Sequence, residues 1–318
     1  MKNLFLILIV ISYTAFAQFA PVLGEDGCIA IPMDSPLFVA WAESGTVERG
    51  WMNSADTTLG KVTYGEVEFC YGQPDPAVLS LGDGGSATFE FSNTLFNGDG
   101  YDFAVFENGF DNYFLELAFV EVSSDGENFF RFPSQSVTDT QSQLVSFDLL
   151  ATENIHNLAG KYPAQWGTPF DLSDLVLHEN LDVNNIRFIR IVDVVGCIDP
   201  LYGTTDSYGR IINDPWPTAF PSGGFDLDAI GVIHQNPLTI IEYPKVAIFP
   251  NPVSISGILR FQSEHLITNC KLIDVLGRSY PLKEKHQLRI SDYCSHKGIY
   301  ILEFEFQGSI YHQQILVR

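Results

Sequence analysis

Short stretches in which apolar and polar residues alternate with a period of two recur through the chain, each closed by a cluster of glycine, aspartate, asparagine or proline. This pattern leaves little room for a helical architecture. In the first two thirds the stretches are Ala87 to Phe91, Phe103 to Phe106, Ala118 to Val122, Val145 to Leu149, Ile186 to Val192 and Leu227 to Ile233. They are punctuated by clusters such as Gly82-Asp83-Gly84-Gly85, Asn97-Gly98-Asp99-Gly100 and Ser124-Asp125-Gly126. Residues two apart on a strand face one side, so the pattern predicts an all-β domain, a jelly roll or β-sandwich. One stretch predicts a helix: Asp34-Ser35-Pro36, a cap and a first-turn proline, followed by the apolar run Leu37 to Glu43.

A second set of strands is expected at Val246 to Phe249, Ile258 to Phe261, Lys271 to Val275, Leu288 to Ile290, Ile299 to Phe306 and Tyr311 to Val317. So many short strands in so few residues predict a small immunoglobulin-like sandwich over 244–318. A proline-bearing linker at 237–243 separates it from the main domain at 18–236. Charge changes at the same place. Residues 18–240 hold 32 acidic and 7 basic side chains, whereas residues 241–318 hold 7 and 9. So acidic a first part disfavours nucleic acid and anionic membrane as partners, since both would approach against like charge.

The N-terminus has the order of a secretory signal peptide: Lys2, the apolar run Leu4 to Ile11, then Ala15-Phe16-Ala17, with cleavage expected after Ala17. The apolar run is too short to span a bilayer comfortably, and no later stretch approaches the roughly 20 apolar residues a spanning helix needs. Export permits disulfides, and the simplest pairing joins Cys28 to Cys70 and Cys270 to Cys294, leaving Cys197 over.

The C-terminal part carries Phe249-Pro250-Asn251-Pro252, then Leu272-Ile273-Asp274-Val275-Leu276-Gly277-Arg278, then Gly298-Ile299-Tyr300-Ile301, and ends Gln314-Ile315-Leu316-Val317-Arg318. In order, spacing and position these elements resemble the type A C-terminal sorting domain of the type IX secretion system. The resemblance implies export across the outer membrane of a Gram-negative cell by that machinery, followed by attachment to surface lipopolysaccharide or release. The first domain resembles a family of bacterial secreted or cell-surface proteins, through stretches such as Asp102-Phe103-Ala104-Val105-Phe106-Glu107-Asn108-Gly109-Phe110 and Gly224-Phe225-Asp226-Leu227-Asp228-Ala229-Ile230-Gly231. That resemblance implies no particular activity.

For catalysis the sequence offers no Gly-x-Ser-x-Gly elbow, no His-Glu-x-x-His and no phosphate-binding glycine loop. His178-Glu179 lacks a second histidine one turn on, and His156 and His234 stand alone. The sharper signal is Asp226-Leu227-Asp228, whose carboxylates face one side of a strand unless the backbone bends. Two anions held together repel, and calcium relieves the repulsion while accepting oxygen ligands. The arrangement is similar to the last-strand carboxylate of calcium-bearing jelly-roll carbohydrate-binding modules. Glu107, Asn108, Asp102 and Asp193, at strand ends, are the further candidate calcium ligands. Asn97 to Asp102 reads as a hairpin turn, because Leu95 stands where an EF-hand loop needs its first acidic ligand.

The irregular segment Asp206 to Phe220 is rich in aromatics, and Tyr208, Arg210 and Trp216 are its candidate carbohydrate contacts. Together these features predict a secreted, calcium-stabilised surface protein for binding or adhesion, with carbohydrate as ligand. A glycan-active hydrolase using paired carboxylates and a structural surface-layer component are the alternatives.

Overall fold

In Ser86–Leu95 the period-two pattern is realised side chain by side chain: Ala87, Phe89 and Phe91 are buried, whereas Glu90 and Ser92 face solvent. The computed structural model describes residues 19–237, 246–263, 267–282, 287–306 and 309–318. Those residues are all-β, with helix confined to short 3-10 turns. The expected signal peptide, and the linker beyond Pro237, lie outside the described residues. The chain divides into two compact units, residues 1–238 and 239–318.

In the first unit the chain runs β1 (Ile31–Pro32), β2 (Ala40–Trp41), β3 (Gly45–Glu48), β4 (Leu79–Ser80), β5 (Ser86–Leu95), β6 (Phe103–Glu107) and β7 (Ala118–Ser123). It continues through β8 (Phe130–Arg131), β9 (Gln135–Ser136), β10 (Ile155–His156), β11 (Trp166–Phe170), β12 (Ile186–Asp193) and β13 (Asp226–Val232). One antiparallel sheet has the order β1-β11-β6-β13-β2, with β4 also pairing with β13, and the other has the order β3-β5-β12-β7-β8. Their inner faces meet in one core, with Phe89 and Phe91 of β5, Val120 and Val122 of β7, and Ile189 and Ile191 of β12 against Phe103 and Val105 of β6 and Ile230 and Val232 of β13. This is a β-sandwich. Each such side chain removed from water stabilises the fold by about 1.5–3 kcal/mol.

The outer face of β6 is buried as well. Phe38 and Trp41 close over Phe106 with ring centroids 5.6 and 5.5 Å away. This packing explains why the helix expected over Leu37 to Glu43 does not form. The edge of β13 offers unpaired backbone groups, and Val39 and Ala42 donate to the Val232 and Ile230 carbonyls at 2.8 and 3.0 Å. The segment becomes a turn and then β2. Val145 to Leu149, expected as a strand, is a loop instead, closed by Asp148, which accepts from the Val145 amide at 2.8 Å and donates its own amide to the Val145 carbonyl.

Neither expected disulfide is formed. The buried Cys70 thiol donates to the Leu227 carbonyl at 3.3 Å, while Cys28 accepts from the Ala30 amide. The Cys270 thiol is directed at the Thr268 carbonyl, and Cys294 lies against Tyr300.

The second unit comprises β14 (Ala247–Phe249), β15 (Ile258–Gln262), β16 (Ile267–Asp274), β17 (Ser279–Pro281), β18 (Gln287–Arg289), β19 (Gly298–Phe306) and β20 (Ser309–Val317). They form the sheets β14-β15-β18 and β17-β16-β19-β20 around Leu259, Leu272, Leu288, Leu302 and Ile315. The turn Asp274 to Arg278 is built by its own residues. Asp274 accepts from the Leu276 and Arg278 amides at 2.9 and 3.0 Å and pairs with the Arg278 Nε at 2.6 Å, while Gly277 takes the φ of +80° that the turn requires. Val275 and Leu276 stand exposed at its tip.

A chain cut to residues 19–237 is expected to fold and to melt in one transition, checked by near-UV circular dichroism and calorimetry. Within it, Phe89→Ala is expected to cost about 3–5 kcal/mol in a denaturant titration, because it opens a cavity between the two sheets.

Candidate functional site

β13 enters its sheet through Gly223 and Gly224, where a side chain has no room: a Cβ on Gly224 would lie 2.7 Å from Asp193 Oδ1 and 2.8 Å from the Gly82 backbone. Asp226 then pairs with Ser80 of β4, and Leu227 pairs with Glu107 at the end of β6. The next pairing is Ala229 with Phe106, so β13 carries one extra residue, Asp228, in a bulge. The backbone bends, and the two aspartates do not share a site. Asp226 accepts a short hydrogen bond from the Ser80 hydroxyl, whereas Asp228 accepts from the Asp75 amide at 3.0 Å.

Asp226 and Glu107 border a cavity of about 280 Å³ at one end of the sandwich, together with Asn108 and Glu116. Its wall is aromatic. Asp111 accepts from the Tyr113 and Phe114 amides, both at 2.8 Å, which folds the segment after β6 so that the Phe110 and Phe114 rings lie 5.2 Å apart. Phe147 stacks on Phe114 at 5.9 Å and meets Phe220 at 6.3 Å. The three wall loops are tied together: Leu150 donates to the Tyr113 carbonyl at 2.7 Å, Trp216 to the Leu144 carbonyl at 2.8 Å, and the Ser146 hydroxyl to the Pro217 carbonyl at 2.6 Å. Phe110 and Phe147 remain 79% and 71% exposed, far beyond what a core residue shows.

The floor is electrostatically costly. Burial first, and then the neighbouring Asp226, push Glu107 well above the usual carboxylate range, and the same two causes act on Glu116. Burial pushes Asp226 up to about 6, partly offset by the Ser80 hydrogen bond. Behind the floor, burial also raises Asp193 and Asp214. Among the described residues, no lysine, arginine or histidine forms an ion pair with any of these five acids. Oε2 of Glu107, a residue only 3% exposed, has no hydrogen-bond partner, nor does Oδ1 of Asp214.

The six residues expected to ligate calcium are therefore divided. Glu107, Asn108 and Asp226 converge on the cavity. Asp193 is held by the Gly84 and Phe225 amides at 3.0 and 2.8 Å. Asp102 lies at the opposite end of β6, accepting from the Gly98 and Leu172 amides at 2.7 Å each and contacting His234 Nδ1 at 2.7 Å. Among the described residues, no three His, Cys, Asp or Glu side chains stand in a metal-holding arrangement.

The expected carbohydrate contacts lie away from the cavity. Trp216 is pinned by its indole N–H to Asp83 Oδ2 at 2.8 Å, and Arg210 pairs with Asp206 beside the exposed Tyr208 ring. From that long segment it is Thr218 and Phe220 that reach the cavity. Phe220 closes the aromatic segment expected to be functional, whereas Glu116, Phe110, Phe114 and Phe147 lie outside every site expected from the sequence. The signal for Phe110, Phe114 and Glu116 is the run Glu107 to Glu116, in which the two phenylalanines alternate with turn-forming Gly109, Asp111 and Asn112, a poor pattern for a strand and a good one for an aromatic loop. No helix among the described residues is long and apolar enough to cross a membrane. In comparisons with known proteins, no family model and no curated protein matches the chain.

The raised acids predict an unusual pH dependence. Asp228, pushed by burial to about 7 from an ordinary 3.8, binds its proton more tightly folded than unfolded. Its contribution to stability is complete below its unfolded value and is lost as pH rises through about 7; Asp226 acts alike through about 6. His156, lowered by burial, works the other way at the acidic end of this window. The melting temperature is expected to fall by about 5 °C between about pH 5.5 and about pH 8. In a melting series over that range, Asp228→Asn, which keeps an oxygen for the Asp75 amide, should flatten the slope. By contrast, Asp102→Ala strands the buried Leu172 amide and the half-buried Gly98 amide and should destabilise the fold by about 2–4 kcal/mol in a denaturant titration.

Proposed function

We propose that the chain is an exported cell-surface binding protein that takes a carbohydrate ligand in the acid-floored, phenylalanine-walled cavity of its first unit. The observation that carries this reading is the convergence of Phe110, Phe114, Phe147 and Phe220, from three loops, over Glu107, Glu116 and Asp226. Exposed aromatic faces pack against the C–H faces of sugar rings, and carboxyl groups at the base exchange hydrogen bonds with hydroxyls. Large apolar side chains held in solvent around a concave polar floor are the usual composition of a ligand site. The second unit is the export tag in this reading, recognised by the type IX secretion machinery. The self-contained turn Asp274 to Arg278, which presents Val275 and Leu276, supports it by giving the matching motif a fixed shape.

A glycan-active hydrolase is the second reading, favoured by one specific feature. Glu107 and Asp226 border one cavity, and their environments hold protons with unequal strength, as a general acid and its partner carboxylate must.

The test is a glycan array probed with the purified full chain and with Phe147→Ala/Phe220→Ala. Binding to a defined glycan class that falls at least about 10-fold in the double variant is expected. Binding unaffected by the double variant would place the ligand elsewhere. Release of reducing ends from a bound glycan, abolished in Glu107→Gln, would make the protein an enzyme. Deleting residues 244–318 is expected to leave the protein in the periplasm of a competent host, checked by cell fractionation; normal surface display of the truncated chain would remove the tag assignment.

A further inference from the structure

The floor of the cavity gathers carboxyls that no basic side chain among the described residues pairs with, and burial makes them hold their protons more tightly than usual. Glu107, Glu116 and Asp226 reach it from the end of β6, the segment before β7 and the start of β13, with Asp193 and Asp214 close behind and Asp83 beyond them. Buried carboxyls normally acquire a basic partner or a full set of hydrogen bonds. Asp193 and Asp83 have the latter: Asp83 Oδ2 accepts from the Ser54 amide and the Trp216 indole at 2.7 and 2.8 Å. Glu107 does not. Its Oε2, on a residue that lines the cavity, is buried without a hydrogen-bond partner, the nearby Gly109 and Asn108 amides offset the burial of the carboxyl only in part, and Gly109 keeps the space beside it open, since a Cβ there would lie 2.9 Å from that oxygen.

We propose that the ligand of this cavity is a cation, an organic ammonium group seated between the phenylalanine rings and the carboxyls of Glu107, Glu116 and Asp226. This rests on the reading that the cavity is the ligand site, and it adds the ligand's charge. Three observations separate an ammonium from a bare metal ion. The cavity of about 280 Å³ is many times the size of an ion. Four phenylalanine rings line it, and a hard metal ion has no use for them, whereas the negative face of a ring attracts an alkylammonium at close range. The carboxyls facing it are not arranged to hold a metal, as far as the described residues go. An amino sugar with a free amine and a quaternary ammonium headgroup both carry this chemistry.

Two pairs of probes, matched in shape and differing in charge, distinguish the outcomes when titrated against the full chain by calorimetry. One pair is choline and its uncharged carbon isostere 3,3-dimethyl-1-butanol; the other is chitosan oligomers and the same oligomers fully N-acetylated. The charged member of at least one pair should bind at least about 10-fold more tightly than its neutral partner. Which pair shows the preference identifies the source of the ammonium. Glu107→Gln and Asp226→Asn should each erode the preference without lowering the melting temperature, since each removes an acid that has no basic partner and keeps an oxygen in its place, and Phe147→Ala should weaken both members of the pair. Equal binding within each pair, lost in Phe147→Ala, would keep the cavity as the ligand site and overturn the charge. Calcium that displaces the ammonium and loses its affinity in Glu107→Gln would make the natural cation a metal and overturn the proposal. Failure of all four probes to bind would overturn both the charge and the site.

Discussion

A single extra residue in β13 sets what its neighbours can face. Before the bulge, Leu227 points into the core and Asp226 turns towards the cavity; beyond it, Ile230 and Val232 resume the inward positions. Without the extra residue, a strict period of two would commit Asp226 and Asp228 to the same face as Ile230 and Val232, and the core and the acids would compete for one side. The bulge removes the conflict. It lets one strand close the hydrophobic interior at one end and supply a half-buried acid at the other.

That arrangement concentrates desolvated carboxyls at one end of the sandwich, and the cost is met by packing elsewhere. Phe89, Phe103, Val105 and Ile191, all essentially inaccessible, supply apolar burial between the sheets. A site kept poorly solvated and short of partners in the free protein is characteristic of function, because groups optimised for a ligand are not optimised for the unliganded fold.

Much of the architecture was legible in the sequence, because strands announce themselves by alternation and their ends by turn residues. The stretches at 87–91, 103–106, 118–122, 186–192 and 227–233 all lie on or beside observed strands. Two local expectations failed for one reason, tertiary context. Leu37 to Glu43 has helical credentials, yet the unpaired edge of β13 claims its backbone, and Val145 to Leu149 alternates, yet it is held to the Trp216–Pro217 loop through Leu144 and Ser146 instead of to a strand. The candidate site was half legible. Glu107, Asn108 and Asp226 stand together because β6 and β13 are neighbours, which the sequence pattern alone does not specify. Asp228 was grouped with them because a bulge has no reliable signature in a run such as Asp226-Leu227-Asp228. Asp102 was included for its position at a strand end, when it is the opposite end that it occupies.

The cavity has two kinds of wall with different histories open to them. Its acids stand on or beside strands whose register is fixed by the core, so changing them disturbs the sheet. Its aromatics stand on three loops that fasten to one another, through Leu150 to Tyr113, Trp216 to Leu144 and Ser146 to Pro217, the last loop being held also by Asp83, Thr63 and Tyr64. In the proposed ligand site, substitution or insertion in these loops would change the shape of the opening while the acids beneath it, fixed by the sheets, stay where they are.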